Sequence, residues 1–261
     1  MTEVRESFHG RPVLIKHVSF AFYHPVAFVL AQIIADLPVT LIQISQFSIV
    51  LYFMSGLRVS AGAFFTYWIV IFATTLSITA MFRAIASAFS TFNSANKIAG
   101  LAISAAVTYS GYIIYKSAMH PWFVWIFWIN PLCEFTFPNI LRGSTLFTVL
   151  ELAYGLEALM ANEMRGRTYP CTGPNLIPVG GPYTRAYASC AGVPGSPTEG
   201  TDVQGDDYLR ALSFGSSHIW RNFGIVWAWW ALFVAITAVR VEDDGTANTR
   251  AKSPLPVFHN L

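Results

Sequence analysis

His120-Pro121-Trp122-Phe123-Val124-Trp125-Ile126-Phe127-Trp128-Ile129-Asn130-Pro131 is the stretch on which the fold turns. It is uncharged, studded with tryptophan and has a proline near each end. It follows closely on Ile98–Tyr115, a run with no Asp, Glu, Lys or Arg. Exposing such a surface to water is costly, and the prolines break it too often for an ordinary core helix. A membrane–water boundary suits it, because indole rings settle half in hydrocarbon and half in water.

Composition agrees. The chain is 54% apolar and only 11% charged, whereas soluble domains carry about 25% charged residues. The mean hydropathy is +0.48. Four charge-free intervals stand out: residues 37–57, 59–82, 98–115 and 222–239. At about 1.5 Å of rise per residue, each reaches about 27–36 Å, enough for a hydrocarbon core of about 30 Å. The predicted fold class is an all-α polytopic membrane protein with about four spans.

The basic residues orient it. Arg5, Arg11 and Lys16 precede the first span, Arg83 and Lys97 bracket the connection between the second and third, and Arg240, Arg250 and Lys252 follow the fourth. Arg58 stands by itself between the first two. The positive-inside rule then places both termini and the 83–97 connection in the cytosol, with the long 116–221 segment outside. Residues 1–18 are mixed polar and basic, without the apolar core of a cleavable signal peptide. Residues 1–24 read as a cytosolic connector, as though further membrane helices preceded them, and 241–261 as a polar cytosolic tail.

Between these ends several local features invite two readings. A helix is predicted from about Val26, kinked near Pro38 and continuing as the first span. Asp36 is either a relay charge or an interface-level carboxylate paired with Arg or Lys. Arg83 faces a protein interior or snorkels toward the cytosol. Gly62 and the small residues of 60–63 are expected to form a tight turn joining two antiparallel spans. Ser104, Thr108 and Tyr112 recur at i, i+4 and i+8, with Tyr109 beside them. That stripe serves close helix packing or lines a cavity. Residues 164–217 lose the hydrophobic period and fill with Gly, Pro, Ser and Thr. Cys171 and Cys190 lie there, and outside the cell two such thiols are expected to be oxidised. A bridge closing about 20 residues contributes roughly 3 kcal/mol; two free thiols would require the opposite orientation.

No Gly-x-x-x-x-Gly-Lys-Ser/Thr string occurs, so no phosphate-cradling loop is encoded. Gly-x-Ser-x-Gly is missing too, and no histidines or cysteines stand at zinc spacing. An intramembrane enzyme would need paired acid or histidine residues at mid-bilayer depth, and the four intervals hold none. No metal site, catalytic residue or nucleic-acid partner is expected. The lipid bilayer is.

Several stretches resemble the first transmembrane domain of the fungal pleiotropic drug resistance transporters, full-size ABC pumps of the ABCG type. They are Ser7-Phe8-His9-Gly10-Arg11-Pro12-Val13-Leu14-Ile15-Lys16-His17, Phe20-Ala21-Phe22-Tyr23-His24-Pro25 and Ala31-Gln32-Ile33-Ile34-Ala35-Asp36-Leu37-Pro38. Leu51-Tyr52-Phe53-Met54-Ser55-Gly56-Leu57, Trp128-Ile129-Asn130-Pro131-Leu132, Ala153–Glu163 and Ser217–Ile225 continue the likeness in family order. It implies an ABC-2 type transmembrane domain over residues 25–240, of which this chain would supply helices three to six. Residues 1–24 would end the intracellular loop that couples to a nucleotide-binding domain, with Arg11, Lys16, Tyr23 and His24 as coupling candidates. The Trp-rich stretch and Ala153–Glu163 would be short re-entrant helices of a large extracellular loop, and Cys171–Cys190 its disulfide. Ser104, Thr108, Tyr109 and Tyr112 become candidates for the substrate cavity.

The implied function is the permease part of an ATP-driven exporter of lipophilic compounds, with a plasma-membrane location. ATP and magnesium would be used by nucleotide-binding domains, and a second transmembrane domain would complete the pump. The alternative is a truncated, non-transporting remnant. One departure concerns 133–152, which intervenes where relatives run from Ile-Asn-Pro-Leu directly into Ala-Tyr-Gly-Leu. A retained intron accounts for it, since Cys133-Glu134-Phe135 can be encoded with a donor-like GTGAGT string; a genuine insertion is the rival. Transcript sequencing decides, and an intron is excluded if every mature message keeps these codons.

Overall fold

A computed structural model describes residues 2–20, 22–108, 110, 144–170, 176–177, 189–190 and 202–251. Helix α1 is Thr2–Ser19, α2 is Pro25–Met54, α3 is Ala61–Ala88, α4 is Phe92–Thr108 and α5 is Ser144–Met164. Short strands β1 (Thr168–Pro170), β2 (Leu176–Ile177), β3 (Ser189–Cys190) and β4 (Asp202–Gln204) follow, then α6 (Gly205–Ala211) and α7 (Ile219–Ala251).

Local chemistry sets the boundaries. His24 is extended (φ −71°, ψ 137°) and Pro25 occupies the first turn of α2, where its missing N–H leaves no bond unmade. α2 then runs through Pro38 as a single 30-residue helix. The turn into α3 differs from expectation. Gly56, with φ +62°, reverses the chain, while Gly62 lies inside α3. Left-handed backbone favours glycine, and a helix N-terminus favours a hydroxyl. Ser60 supplies it, its Oγ accepting from the Ala63 N–H at 3.2 Å.

Three helices among the described residues are long and apolar enough to cross a membrane: Pro25–Met54, Ala61–Ala88 and 219–243 of α7. The interval 98–115 is described only as α4 to Thr108, and Ser110. The helices overrun the predicted intervals because a charge-free count stops at every ionised group. Asp36 and Arg83 neutralise one another inside α2 and α3, so neither ends its helix. α7 likewise continues past Arg240 to Ala251.

α3 is the hub. Half of its central window is buried, against 11% for α2 and 17% for α7. Tyr67, Val70, Ala73, Leu76, Ser77, Ala80, Met81 and Ala84 form its inward stripe at helical spacing. α4 meets the bundle through Ala95, Ala99, Ala102 and Ala106, at i, i+4, i+7 and i+11, and side chains this small let backbones approach. Phe233 of α7, Met81 and Phe82 of α3 and Val4 of α1 close the core at the α1 end. Elsewhere α2 presents Val39, Phe47, Val50 and Phe53 outward, each more than half exposed. Such a face is costly in water and natural in hydrocarbon.

α5 corrects a second expectation. The short re-entrant helix expected at 153–163 is instead 21 residues long and packs against α3, α4 and α7. Asn162 Nδ2 donates to the Ala63 carbonyl at 3.0 Å, and Gly155 lies against Thr74. α5 is therefore antiparallel to α3 and descends to its middle. A Cβ at Gly155 would come within 2.7 Å of Thr74 Oγ1 and 3.2 Å of Thr74 Cγ2. Thr74 is β-branched, and its hydroxyl already donates to the Val70 carbonyl at 2.8 Å. Gly155→Ala is expected to cost about 1–3 kcal/mol of thermal stability. Adding Thr74→Ala should recover most of it; a double variant no better than the single one would disprove the contact.

Beyond α5 the loop-rich region carries two antiparallel strand pairs, β1 with β4 and β2 with β3, where Leu176 is in register with Cys190. The Trp-rich stretch, Cys133 and Cys171 lie outside the described residues, as do the Cys190 side chain and any Cys171–Cys190 bridge.

Candidate functional site

Two polar clusters tie the bundle together, one at each end. At the α1 end Arg83 is the centre. Its Nε and Nη2 donate to Glu3 Oε2 at 3.0 and 2.9 Å, and Nη2 also donates to Asp36 Oδ2. One guanidinium thus links α1, α2 and α3. The Arg83 side chain is 11% exposed, Glu3 25% and Asp36 39%. Burial strengthens these attractions while making an unmatched charge expensive. Asp36 is therefore the paired carboxylate of its two sequence readings, and Arg83 faces protein.

The coupling candidates gather around the same end. Arg11 stacks its guanidinium 4.1 Å over the Phe8 ring and donates to the Ala86 carbonyl of α3. Phe8 in turn meets Phe92 of α4 edge-on at 5.9 Å. Val4 and Leu14 are buried beneath α1, while Val13, Ile15 and Lys16 face outward. Tyr23 shares a 2.9 Å hydrogen bond with His17 Nδ1, closing the α1–α2 hinge. His24 Nε2 lies 3.5 Å from Glu242 of α7. The sequence did not single out Glu3 or Glu242, since a lone surface glutamate gives no signal of its partner.

Beside Arg83 the helices part. A narrow cleft with a cavity volume of about 20 Å³, open on one side, is lined by Val29, Ile33, Asp36 and Thr40 of α2, Leu76, Thr79, Ala80 and Arg83 of α3, and Trp230, Val234 and Thr237 of α7. Most of that lining is apolar, and Thr237 Oγ1 is occupied by the Phe233 carbonyl at 2.8 Å.

At the opposite end α5 is the fastener. Glu163 Oε2 accepts the Arg58 N–H at 2.9 Å, and Glu163 Oε1 pairs with Arg167. Tyr52 of α2 donates to the Arg58 carbonyl. Glu157 Oε1 accepts the Gly215 N–H at 2.8 Å and lies 3.7 Å from His218 Nδ1. Arg167 also sits 5.3 Å over the Tyr169 ring, whose hydroxyl burial pushes up in pKa while the nearby guanidinium pulls it down.

Of the cavity candidates, Ser104 and Thr108 are described. Thr108 Oγ1 donates to the Ser104 carbonyl at 2.8 Å. Ser104 is turned about 200° from Ala102 and is exposed, so the hydroxyl stripe looks away from the alanine stripe that packs. Tyr109 and Tyr112 fall outside the described residues. No group of three metal-binding side chains occurs among the described residues. The sequence holds no Gly-x-x-x-x-Gly-Lys-Ser/Thr string.

A hub helix, apolar outward faces and an ionic triad that joins three helices define a multi-pass helical membrane protein. Comparison with known proteins narrows this. The ABC-2 type transporter family profile matches residues 1–134, and the CDR ABC transporter profile matches 177–255. The chain belongs to the ABC-2 type transporter family. ABC multidrug transporter H of Aspergillus fumigatus is 52% identical over 240 residues, covering 92% of this chain and 15% of that protein. ABC-type transporter cns4 of Cordyceps militaris is 46% identical, covering 91% and 16%. ABC multidrug transporter G of Aspergillus fumigatus is 42% identical, covering 93% and 16%. The chain thus spans about 15% of the length of these curated relatives.

Proposed function

We propose that this chain is the permease part of an ATP-driven exporter of lipophilic compounds, resident in the plasma membrane with α1 in the cytosol. Its partners are nucleotide-binding domains, which bind ATP and magnesium, and a second transmembrane domain. The names of the relatives, multidrug transporters among them, support this reading. The observation that carries it is the bolt between α1 and the spans. Glu3, buried Val4 and Arg11 fix α1 to α3, so a push on α1 reaches α2 and α3 as a rigid displacement. Outward-facing Val13, Ile15 and Lys16 supply a mixed apolar and basic surface for a nucleotide-binding domain. Tyr23 and His24 sit at the hinge through which the displacement enters α2. Ser104 and Thr108, on the unpacked face of α4, remain for the substrate path, with Tyr109 and Tyr112 as candidates on sequence spacing alone.

A segment exchange tests this. Residues 7–240 replace the matching segment of the Aspergillus fumigatus multidrug transporter H, and efflux of a fluorescent lipophilic dye is followed in energised and ATP-depleted cells. ATP-dependent efflux is expected from the chimera, and none from the chain expressed without nucleotide-binding domains. A chimera that reaches the cell surface but exports nothing overturns the proposal.

A further inference from the structure

The Arg83 triad leaves hydrogen-bonding capacity unspent where it meets the cleft. A guanidinium carries five N–H donors. Nε and Nη2 serve Glu3 and Asp36, so Nη1 takes no part in the triad. Asp36 accepts through Oδ2, with Oδ1 left over. The Arg83 side chain is only 11% exposed and lies on a helix long and apolar enough to cross a membrane, so bulk water is scarce around it. A polar group held unbonded in such surroundings is costly. Arg83 and Asp36 both line the cleft, whose volume is about 20 Å³. A buried water needs about 10–15 Å³ of cavity and two to four polar partners. The hollow therefore has room for one water and for no larger ligand. Thr40, Thr79 and Thr237 join Arg83 and Asp36 in its lining and complete the set of partners. The Thr237 hydroxyl donates to the Phe233 carbonyl, yet its oxygen can still accept.

We infer that the cleft between α2, α3 and α7 binds one ordered water, which ties α7 to the ionic triad. The water accepts from Arg83 Nη1 and from a threonine hydroxyl of α2 or α3. It donates to Asp36 Oδ1 and to Thr237 Oγ1. The other α7 side chains at the cleft are Trp230 and Val234, so Thr237 supplies the hydroxyl on that wall. Water-mediated bonds are nearly as good as direct ones and exchange more readily than a fixed ion pair. A displacement of the triad then reaches α7 through a replaceable water, and α7 can part from α2 and α3 without stranding a charge. That consequence rests on the coupling reading above; the water site itself does not.

Radiolytic footprinting in heavy-oxygen water tests this, with the chain in phosphatidylcholine nanodiscs. X-rays split a bound water where it sits, and the hydroxyl radical labels the side chain beside it. Leu76 is 5% exposed and lines the cleft, whereas Leu209 is 1% exposed and does not. Leu76 should be labelled well above Leu209 despite its burial. Ala80→Leu fills the hollow and should bring Leu76 down to the level of Leu209. Added bulk can disturb the bundle, so Thr40→Val with Thr79→Val provides a second variant that removes two hydroxyls at nearly constant shape. It should lower the labelling of Leu76 as well. Leu76 labelled no faster than Leu209 in the unaltered chain overturns the inference, as does labelling unchanged in either variant. The readout needs no transport: a segment exchange that fails to export would discard the coupling consequence and leave the water site standing.

Discussion

Gly205→Ala is expected to unfasten the strand-bearing lobe from the helical bundle. Gly205 opens α6 directly after β4, and its N–H donates to the Arg167 carbonyl at 2.7 Å. A Cβ at this position would overlap the Met164 carbonyl oxygen, lie 2.9 Å from the Met164 carbonyl carbon and 3.2 Å from the Arg167 oxygen. All three are backbone atoms at the C-terminal end of α5, where the chain turns through Gly166 at φ +67°. A flexible side chain would swing aside; a main chain bonded on both sides cannot. Overpacking of this kind costs about 1–3 kcal/mol where a core relaxes, and more where backbone must move. The expected outcome is a local rather than global loss. Amides of 202–212 should lose hydrogen-exchange protection by more than about tenfold, while those of α2 and α3 hold theirs. Unchanged protection across 202–212 would show that the close approach is not maintained in solution.

Arg83→Ala carries the second large effect. The substitution leaves Glu3 and Asp36 facing one another across the vacated site, both partly withdrawn from water. Breaking a buried ion pair costs about 3–5 kcal/mol when the remaining charge has no recourse. Here both acids retain some solvent contact, so the lower end, about 3 kcal/mol, is the better estimate. Arg83→Lys should restore only part of it, because one ammonium cannot reproduce donation from both Nε and Nη2 to the α1 carboxylate. The triple change Glu3→Gln, Asp36→Asn, Arg83→Leu should be milder than Arg83→Ala, since no charge is left unmatched. Thermal unfolding in nanodiscs orders these variants. A triple variant less stable than the single one would refute the electrostatic account. If α1 transmits motion through this triad, Arg83→Ala should also cut efflux from the chimera more than it cuts surface expression.

Particular residues show where the sequence was sufficient. Pro25 at the head of α2 and the hydropathy of the three long helices needed no tertiary information. Each follows from backbone geometry or from the cost of wetting a continuous oily face. Asp36 and Arg83 were legible as anomalies, charges inside apolar helices, but the sequence left two readings for each. Glu3, the third member, lies 80 residues from Arg83 and carries no mark of its own. The turn glycine was misassigned because Gly56 and Gly62 are equally plausible breakers until φ is known. The stripe of Ser104 and Thr108 was visible, yet nothing local says which face of α4 packs; the alanines settle that by meeting α3 and α5.

Composition and periodicity determined that this chain crosses a lipid bilayer as helices, because hydrocarbon leaves a backbone little alternative to bonding with itself along one segment. Which helix would be the hub, how deep α5 descends and which two acids share Arg83 were decided only in three dimensions. Those choices depend on contacts between segments far apart in the chain, and a side chain's partner there is set by packing, on which its sequence neighbours are silent.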